Sequence, residues 1–502
     1  MIHMKKLREI AFLLALLPAV LLMGSCESSG DLQSADEILI DEPENMEEIL
    51  ADDTEEIFAD DIEKIFADDT VTETVSESEE ISGDIQEGTE TAPEGTEADP
   101  DDPRNSGKVL HIVCFNEDFI ETFESVFGRE NIPDGIEVEF TKLSPSFDGY
   151  VYELGQVLVS DRIEPVDMFI TEFDSCRIFN DSDLTLPLSE VGITAKDTAM
   201  MFPYTVELGM SSEGILKSVS YQAETGAFAY RRDIALEVFG NDDPNYIHKL
   251  ITNDFEGTAE ALAKKGYYII PSTTEAFRPY SQRRSMPWLD ANGNITVDPM
   301  LRSWAEDMKK FREKNYIPDY EQWDNTWCDE LTTNGKTFGT FFASWGAEFT
   351  ISGYDPYANG DGAGKWGVCV PPSPYFWGGN FLNISAKTDN LDLCGEIIRK
   401  FISDEEALAD YSVQNRDFCN NRSAMQKVID SGEAYNDFLA QNSFEVYYSA
   451  AEEIRAGVAY SSEYDVYLEA QFQWAMRDFI NGHCTYEEAE ELFIDSVSYI
   501  FD

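Results

Sequence analysis

Apolar and polar residues alternate along the larger, C-terminal part of the chain in the order strand, helix, strand. Apolar runs at 109–114 and 166–170 predict buried strands, and an alternating segment at 136–140 predicts a third. Apolar residues at helical spacing predict helices over 119–127 and 150–158, each between two of these strands. Strands that alternate with helices are typical of a parallel sheet flanked by helices, so we predict an α/β fold.

Helical spacing predominates later in the chain. The predicted helices there cover 301–311, 391–401, 404–413 and 467–480. Ser403 and Thr485 each stand three residues before a glutamate, at capping-box spacing, which predicts a helix start at each. The folded part, residues 107–502, is long enough for two domains.

The first 26 residues have the pattern of a lipoprotein signal peptide. Three basic residues precede an apolar stretch at 10–23, which is too short to span a membrane, and a small-residue cleavage site ends in Cys26. We expect cleavage before Cys26 and lipid modification of its sulfur. An ordinary secretory leader is the alternative interpretation. Either leader predicts an extracytoplasmic protein.

Residues 27–106 form an acidic spacer, with 30 acidic side chains against two basic ones. Such a composition cannot bury enough apolar surface to fold alone, so we expect disorder. An octad recurs at 47–54, 55–62 and 63–70. It is either a cation-binding or partner-binding motif or a repeat within a solvated spacer. We favour the spacer, because the octad lacks the turn-forming glycine of a calcium loop.

The formal net charge of −63 argues against nucleic-acid binding, because phosphate backbones must be met by Lys and Arg. Seven cysteines beyond Cys26 show no paired short spacing, and we expect small buried residues and no disulfide framework. Only four histidines occur, without zinc-site spacing, so we expect no metal and no cofactor.

Three segments resemble the carbohydrate-binding proteins of ATP-driven (ABC-type) importers, the group that includes maltose-binding protein. Residues 220–233, which contain Glu224, look like the first crossing between the two lobes of those proteins. Residues 335–346 are similar to the group's glycine-lysine strand, ending here in Trp345, and 366–390, with Trp377-Gly378-Gly379, are similar to its return crossing.

The resemblance implies a two-lobe fold like that of periplasmic binding proteins. Each lobe would be a mostly parallel sheet flanked by helices, and crossing strands would form the hinge. We assign 107–220 and about 384–435 to the N-terminal lobe, and 221–383 and about 436–502 to the C-terminal lobe.

The resemblance also implies capture of a carbohydrate, an oligosaccharide, in the cleft between the lobes and its delivery to an ABC permease. We expect a monomer, tethered by the lipid on Cys26 to the outer face of the cell membrane, with a Gram-positive type of cell surface as the setting.

A sugar presents apolar faces and a rim of hydroxyls, which suit aromatic rings and polar side chains. Trp345 and Trp377 are our stacking candidates, with Gly378 beside the second ring. Trp288 follows Met286-Pro287 in a polar loop, where stacking and burial are both open. Three other tryptophans are expected in the core: Trp304, Trp366 and Trp474.

Polar candidates follow predicted strands or stand on the first crossing. By resemblance, Glu224 holds the place of a sugar-contacting acid; a solvated strand end is the alternative. Asp118 is a ligand contact, a helix cap, or both. Arg416 is included with ion pairing as its default interpretation. The complete set is Asn116, Glu117, Asp118, Asp174, Tyr221, Gln222, Glu224 and Arg416, with Thr171 and Glu172 beside Asp174.

Two rival functions use the same residues. A glycoside hydrolase needs two carboxylates about 5 to 9 Å apart, and so many acidic residues could supply a pair anywhere. No hydrolase motif or phosphate-binding loop occurs, so we expect no enzyme. A receptor for a peptide or a cationic small molecule on the same scaffold is the other alternative.

Overall fold

The computed structural model describes residues 102–143, 147–160, 165–352 and 363–501. The predicted leader with Cys26 and the octads lie outside the described residues, as does the spacer up to residue 101. The strands are β1 (Val109–Cys114), β2 (Glu137–Lys142), β3 (Met168–Glu172), β4 (Ser218–Ser220), β5 (Gly226–Arg231), β6 (Gly339–Ala343), β7 (Trp366–Cys369), β8 (Asn380–Ile384), β9 (Tyr435–Asn436) and β10 (Gln441–Asn442).

Helices connect these strands and cover the sheets. They are α1 (Asp118–Val126), α2 (Phe147–Val159), α3 (Cys176–Asn180), α4 (Pro203–Leu208), α5 (Arg232–Phe239), α6 (Pro244–Asn253), α7 (Phe255–Ala263), α8 (Phe277–Ser281), α9 (Pro299–Glu313), α10 (Asn325–Glu330), α11 (Leu391–Ser403), α12 (Glu405–Asn415), α13 (Arg422–Ser431), α14 (Ser443–Ala451), α15 (Asp465–Ile480) and α16 (Tyr486–Ser498). Among the residues described, no helix has the length and apolarity that crossing a membrane requires.

The first sheet has the order β2-β1-β3-β8-β4. β1 pairs in parallel with both β2 and β3, as the strand-helix alternation predicts. β8 is antiparallel to β3 and to β4. The strand predicted at 109–114 coincides with β1, whereas the predicted bounds of β2 and β3 are one or two residues early.

The second sheet has the order β6-β5-β7, and both of its pairings are antiparallel. This differs from the expectation of a mostly parallel sheet in each lobe. The physical reason is the connection: the helices α5 to α10 bring the chain back to the end of the sheet at which β5 finishes, so β6 runs in the opposite direction.

Alternating side chains of β5 divide the apolar core. Ala227 and Ala229 belong to a cluster that also includes Ile112 and Ile170 of the first sheet. Phe228 and Tyr230, on the opposite face, belong to a second cluster. The second cluster also receives α9, α15 and α16. On the far face of the first sheet, α2 covers β1 and β3 in a third cluster.

Helix caps test the predicted helix starts. Thr485 and Glu488 form the expected capping box of α16, with reciprocal bonds of 3.2 and 2.8 Å. The prediction at Ser403 is wrong: its hydroxyl donates to the Arg399 carbonyl at 2.6 Å, and Asp404 caps α12. Asp404 is one residue closer, so its carboxylate reaches the free Ala407 N–H at 3.0 Å.

Seven cysteines lie among the described residues, and no two of these seven form a disulfide. Five are buried, as expected for small core residues, and the other two, Cys328 and Cys484, are half-buried.

Candidate functional site

Strand ends from both sheets converge on one cavity. In the first sheet, the carboxyl ends of β1, β3 and β4 meet the start of β8 at one edge, because β8 alone runs in the opposite direction. In the second sheet, the ends of β6 and β7 share an edge with the start of β5. The chain crosses between the sheets at 221–225 and returns at 370–379.

The cavity between these edges has a volume of about 710 Å³, within the usual range for small-molecule sites. Asn116 and Asp118 after β1, Asp174 after β3, and Gln222 and Glu224 on the first crossing all line it. The structure thus brings together five of the polar candidates.

Three tryptophans form one wall of the cavity: Trp323, Trp345 and Trp377. The Trp345 and Trp377 rings meet edge to face, with centroids 5.1 Å apart, and the Trp345 indole N–H donates to the Trp377 carbonyl at 2.7 Å. Trp323 lies nearly parallel to Trp345 at 6.4 Å. The three rings therefore pack against one another, and each restricts the rotamers open to the next.

Trp323 has a left-handed backbone, with φ of 74°. This conformation costs a bulky residue roughly 1–3 kcal/mol, and such strain concentrates at ligand sites. Sequence reasoning did not select Trp323 as a site residue. An aromatic residue inside the polar stretch Glu321-Gln322-Trp323-Asp324 was the available signal.

Glu224 is held tightly at the base of the first crossing. It is 3% exposed, has φ of 34°, and accepts a hydrogen bond of 2.5 Å from the Ser344 hydroxyl. Burial, with the nearby Asp417 carboxylate, raises the pKa of Glu224 well above its ordinary value. Its carbonyl accepts the Trp377 N–H at 3.1 Å, which ties the two crossings together.

Gln222 joins the crossings from the other side. Its side-chain oxygen accepts the Asn380 N–H at 3.0 Å, and its Nε2 donates to Asp417 at 2.8 Å. Asp417 also accepts the Tyr411 hydroxyl at 3.0 Å, and burial raises the pKa of the Asp417 carboxyl. Gln222 therefore lines the cavity, and its amide group links the first crossing to Asn380 at the start of β8 and to Asp417.

Two carboxyl groups lie where β3 ends, on Glu172 within the strand and on Asp174 in the loop after it. The Arg278 guanidinium interacts with Asp174. Burial raises the pKa of Glu172 to about 6. Burial and the charge of Glu172 raise the pKa of Asp174, against the opposing effect of Arg278. Arg278 lies over the Trp377 ring at 4.6 Å and donates to the Tyr460 hydroxyl at 2.7 Å. Sequence reasoning missed Arg278, which comes from a separate helix, α8.

Carboxyl groups outnumber arginines in the cavity lining. Its described residues include six carboxyl groups, three of them with a raised pKa, and three arginines. Two of the arginines are engaged with carboxylates at the cavity wall, Arg312 with Asp319 and Arg477 with Glu321. Even with the three carboxyl groups of raised pKa protonated, these residues carry no net positive charge that would favour an anionic ligand.

Five candidates lie away from the cavity lining. Thr171 is buried within β3, where its hydroxyl donates to Asn383 at 2.9 Å. Trp288 is fully buried in the second core, where its ring centroid lies 5.5 Å from that of Phe493. The alternative in which Trp288 stacks on a ligand is therefore wrong. Its loop is polar, but the indole points inward under α16. Tyr221 is 1% exposed and packs in the first core.

The other two candidates that lie away from the cavity lining are charged residues. Glu117 is exposed and pairs with Lys142 at the end of β2, because its side chain points outward along the sheet edge. Arg416 is exposed and ends α12 with a left-handed backbone, φ 55°, so its place is that of a helix terminus.

Of the tryptophans predicted to be core, Trp366 and Trp304 are buried, although Trp304 also touches the cavity. The prediction for Trp474 is wrong. Its side chain is 54% exposed and lines the cavity from α15. Helical spacing shows which residues share a face, but not whether that face covers a core or a cleft.

Comparison with known proteins gives this geometry a family. The profile of the bacterial extracellular solute-binding proteins matches residues 131–437. The chain belongs to this family. The expectations of an extracytoplasmic binding protein that is not an enzyme are thereby confirmed. Comparison with curated proteins finds no match.

Solved structures show the same two-lobe fold. A solute-binding protein of family 1 has a TM-score of 0.65 at 15% identity, covering 78% of this chain and 100% of that one. The sugar-binding protein MalE of Xanthomonas citri has 0.62 at 14%, covering 78% and 97%. A binding protein of Bifidobacterium animalis subsp. lactis, in complex with β-1,6-galactobiose, has 0.59 at 14%, covering 79% and 98%.

Proposed function

We propose that this solute-binding protein captures a neutral oligosaccharide in the cavity between its two sheets and delivers it to an ABC permease. The observation that carries the proposal is the wall of Trp323, Trp345 and Trp377 beside the buried carboxyl of Glu224. Flat rings cover the apolar faces of a sugar, and carboxyl and amide groups bond its hydroxyls.

The size and charge of the cavity support the same ligand class. A volume of about 710 Å³ accommodates more than one sugar ring, and Trp474 adds an exposed ring to the lining. The lack of net positive charge among the described lining residues argues against sugar acids and sugar phosphates. The complexes of similar fold include one with a galactobiose, and MalE of Xanthomonas citri is a sugar-binding protein.

Two further parts of the proposal concern the cell surface. The leader pattern ending in Cys26 supports a lipid anchor, and the acidic spacer would hold the folded part away from the membrane by self-repulsion. Reversible closure on the sugar would present one shape to the permease, since a ligand favours the state that it binds better.

Isothermal titration calorimetry on the full chain tests the ligand class. The panel is β-1,6-galactobiose, maltotriose, cellobiose, N,N′-diacetylchitobiose and lacto-N-biose, with spermidine and a neutral tripeptide as probes of the rival classes. We expect stoichiometric binding of at least one glycan and no release of monosaccharide on prolonged incubation. Binding of spermidine or the tripeptide, with no glycan bound, would refute the proposal.

A further inference from the structure

A side pocket of about 130 Å³ adjoins the main cavity. Asp174, Arg278, Gln322 and Trp377 line both spaces, so the side pocket opens from the foot of the tryptophan wall. Its volume corresponds to about four water molecules at liquid density, which is room for a substituent of a few heavy atoms.

The side pocket contains one donor and one acceptor that are not satisfied. Gln322 is only 7% exposed, and its Nε2 has no hydrogen-bond partner among the described residues; the same is true of Asp174 Oδ1. Buried polar groups in folded proteins are nearly always paired. The two atoms therefore point to a ligand group that accepts one hydrogen bond and donates another.

Three other polar side chains of the side pocket are already engaged. Glu469 pairs with Arg284 at 3.2 Å, and Glu275 accepts the hydroxyl of Ser272 at 2.5 Å. Arg278 donates to the Tyr460 hydroxyl. Gln322 Nε2 and Asp174 Oδ1 are the buried side-chain atoms of the described lining that lack a partner.

Apolar groups form another part of the lining. They are the rings of Phe173, Phe277 and Trp377 and the aliphatic side chains of Val466 and Ala470, beside the polar side chains of Thr274 and Gln473. A hydroxyl would satisfy the donor and the acceptor but leave this surface uncovered. An ammonium group would leave Gln322 Nε2 unpaired beside Arg278, and a carboxylate would face Asp174.

We propose that the side pocket receives the acetamido group of an N-acetylhexosamine unit. Gln322 Nε2 donates to the acetamido oxygen, the acetamido N–H donates to Asp174 Oδ1, and the methyl group lies against the apolar lining. The inference rests on the proposed function, since it assumes that a glycan fills the main cavity, and it names the class of that glycan.

Matched sugar pairs test the assignment by calorimetry on the full chain. The pairs are N-acetylglucosamine with glucose, N-acetylgalactosamine with galactose, N,N′-diacetylchitobiose with cellobiose, and lacto-N-biose with galactosyl-β-1,3-glucose. Within a pair, only acetamido and hydroxyl groups are exchanged. We expect the acetamido sugar to bind at least tenfold more tightly in at least one pair, with chitobiose, the free amine, weaker than its acetylated form.

Gln322→Leu removes the donor at nearly constant volume and should reduce the affinity ratio of that pair below threefold. The control is Gln426→Leu on the exposed face of α13, where Gln426 bonds only Asp430 at 2.8 Å; it should keep the wild-type ratio. The wild-type ratio itself needs no variant, so the test survives a Gln322 variant that folds poorly.

The outcomes separate the two proposals. Glycan binding with equal or tighter affinity for the hydroxyl or amine sugar of every pair overturns the side-pocket assignment and leaves the proposed function standing. An unchanged ratio in Gln322→Leu also overturns it. The absence of binding by any glycan overturns the proposed function, and the side-pocket assignment with it.

Discussion

At the scale of single residues, Trp345 and Trp288 distinguish ligand contact from core packing. Trp345 is half-buried and lines the cavity, whereas Trp288 is fully buried behind α16. Variants at the two positions therefore separate a loss of ligand contact from a loss of core packing.

Trp345→Ala should weaken binding of the glycan selected by calorimetry by about 2 kcal/mol, or about thirtyfold, because it removes an aromatic contact at the centre of the site. Trp288→Phe, the control, should lower the melting temperature by leaving a void in the core and change the affinity less than twofold. Equal losses of affinity in the two variants would contradict the stacking role of Trp345.

Glu172 gives the cavity a dependence on pH. Burial raises its pKa from 4.5 to about 6, so between these values the folded state binds more protons than the unfolded state. Stability therefore falls as pH rises through this window, and the cost of the charge is complete above it. Asp174 and Tyr150 are the titratable groups that interact with the Glu172 charge.

Glu172→Gln should raise the free energy of unfolding by at most about 2 kcal/mol at pH 7.5 and leave it nearly unchanged at pH 4. Urea denaturation at the two pH values measures the difference. Glu137→Gln, on the exposed side of β2, is the control and should change stability by less than about 0.5 kcal/mol at both. A gain at pH 4 equal to that at pH 7.5 would rule out the charge as its cause.

Sequence reasoning found the site residues that lie on the crossings and missed those from distant segments. Trp345, Trp377 and Glu224 lie within segments that the resemblance covers. Arg278 and Gln322 reach the cavity from segments with no local signal, because tertiary folding alone brings them to the strand ends.

At the scale of elements, the return crossing before β8 depends on a glycine. Gly378 has φ of 111°, and a Cβ atom there would lie 3.1 Å from the indole nitrogen of Trp345. The residue therefore allows both the unusual backbone and the close approach of the tryptophan wall.

Gly378→Ala should destabilise the protein by at least about 1 kcal/mol, from the strained backbone, and lower glycan affinity about tenfold as the Trp345 ring is displaced. Gly240→Ala is the matched control, with φ of 71° and nothing within 4 Å of the added carbon. It should show a similar loss of stability, by chemical denaturation, without a loss of affinity. Unaltered affinity in both variants would show that the wall tolerates the shift.

The elements themselves were largely predictable, because apolar spacing is a local property. β1 and the long helices α9, α11 and α15 coincide with predicted segments within two residues. The antiparallel second sheet was not predictable in this way. Its strand β5 is buried throughout, and a fully buried strand has the same apolar pattern whichever direction its neighbours run.

At the scale of the whole molecule, the first sheet is assembled from segments on both sides of the second. β8 follows the entire second sheet in sequence, yet it lies between β3 and β4. Asn383 on β8 accepts a hydrogen bond from Thr171 on β3, 212 residues earlier. The first sheet is therefore complete only when segments on both sides of the second sheet in sequence have paired.

A growing polypeptide cannot finish this sheet until the ribosome has passed residue 384. Contacts between such remote segments form slowly, because the entropy of closing a long loop is lost before the contacts can compensate for it. Late completion of the sheet suits a protein that acts outside the cell. A chain whose last strand has not yet paired remains unfolded, and an unfolded chain can pass through a narrow export channel.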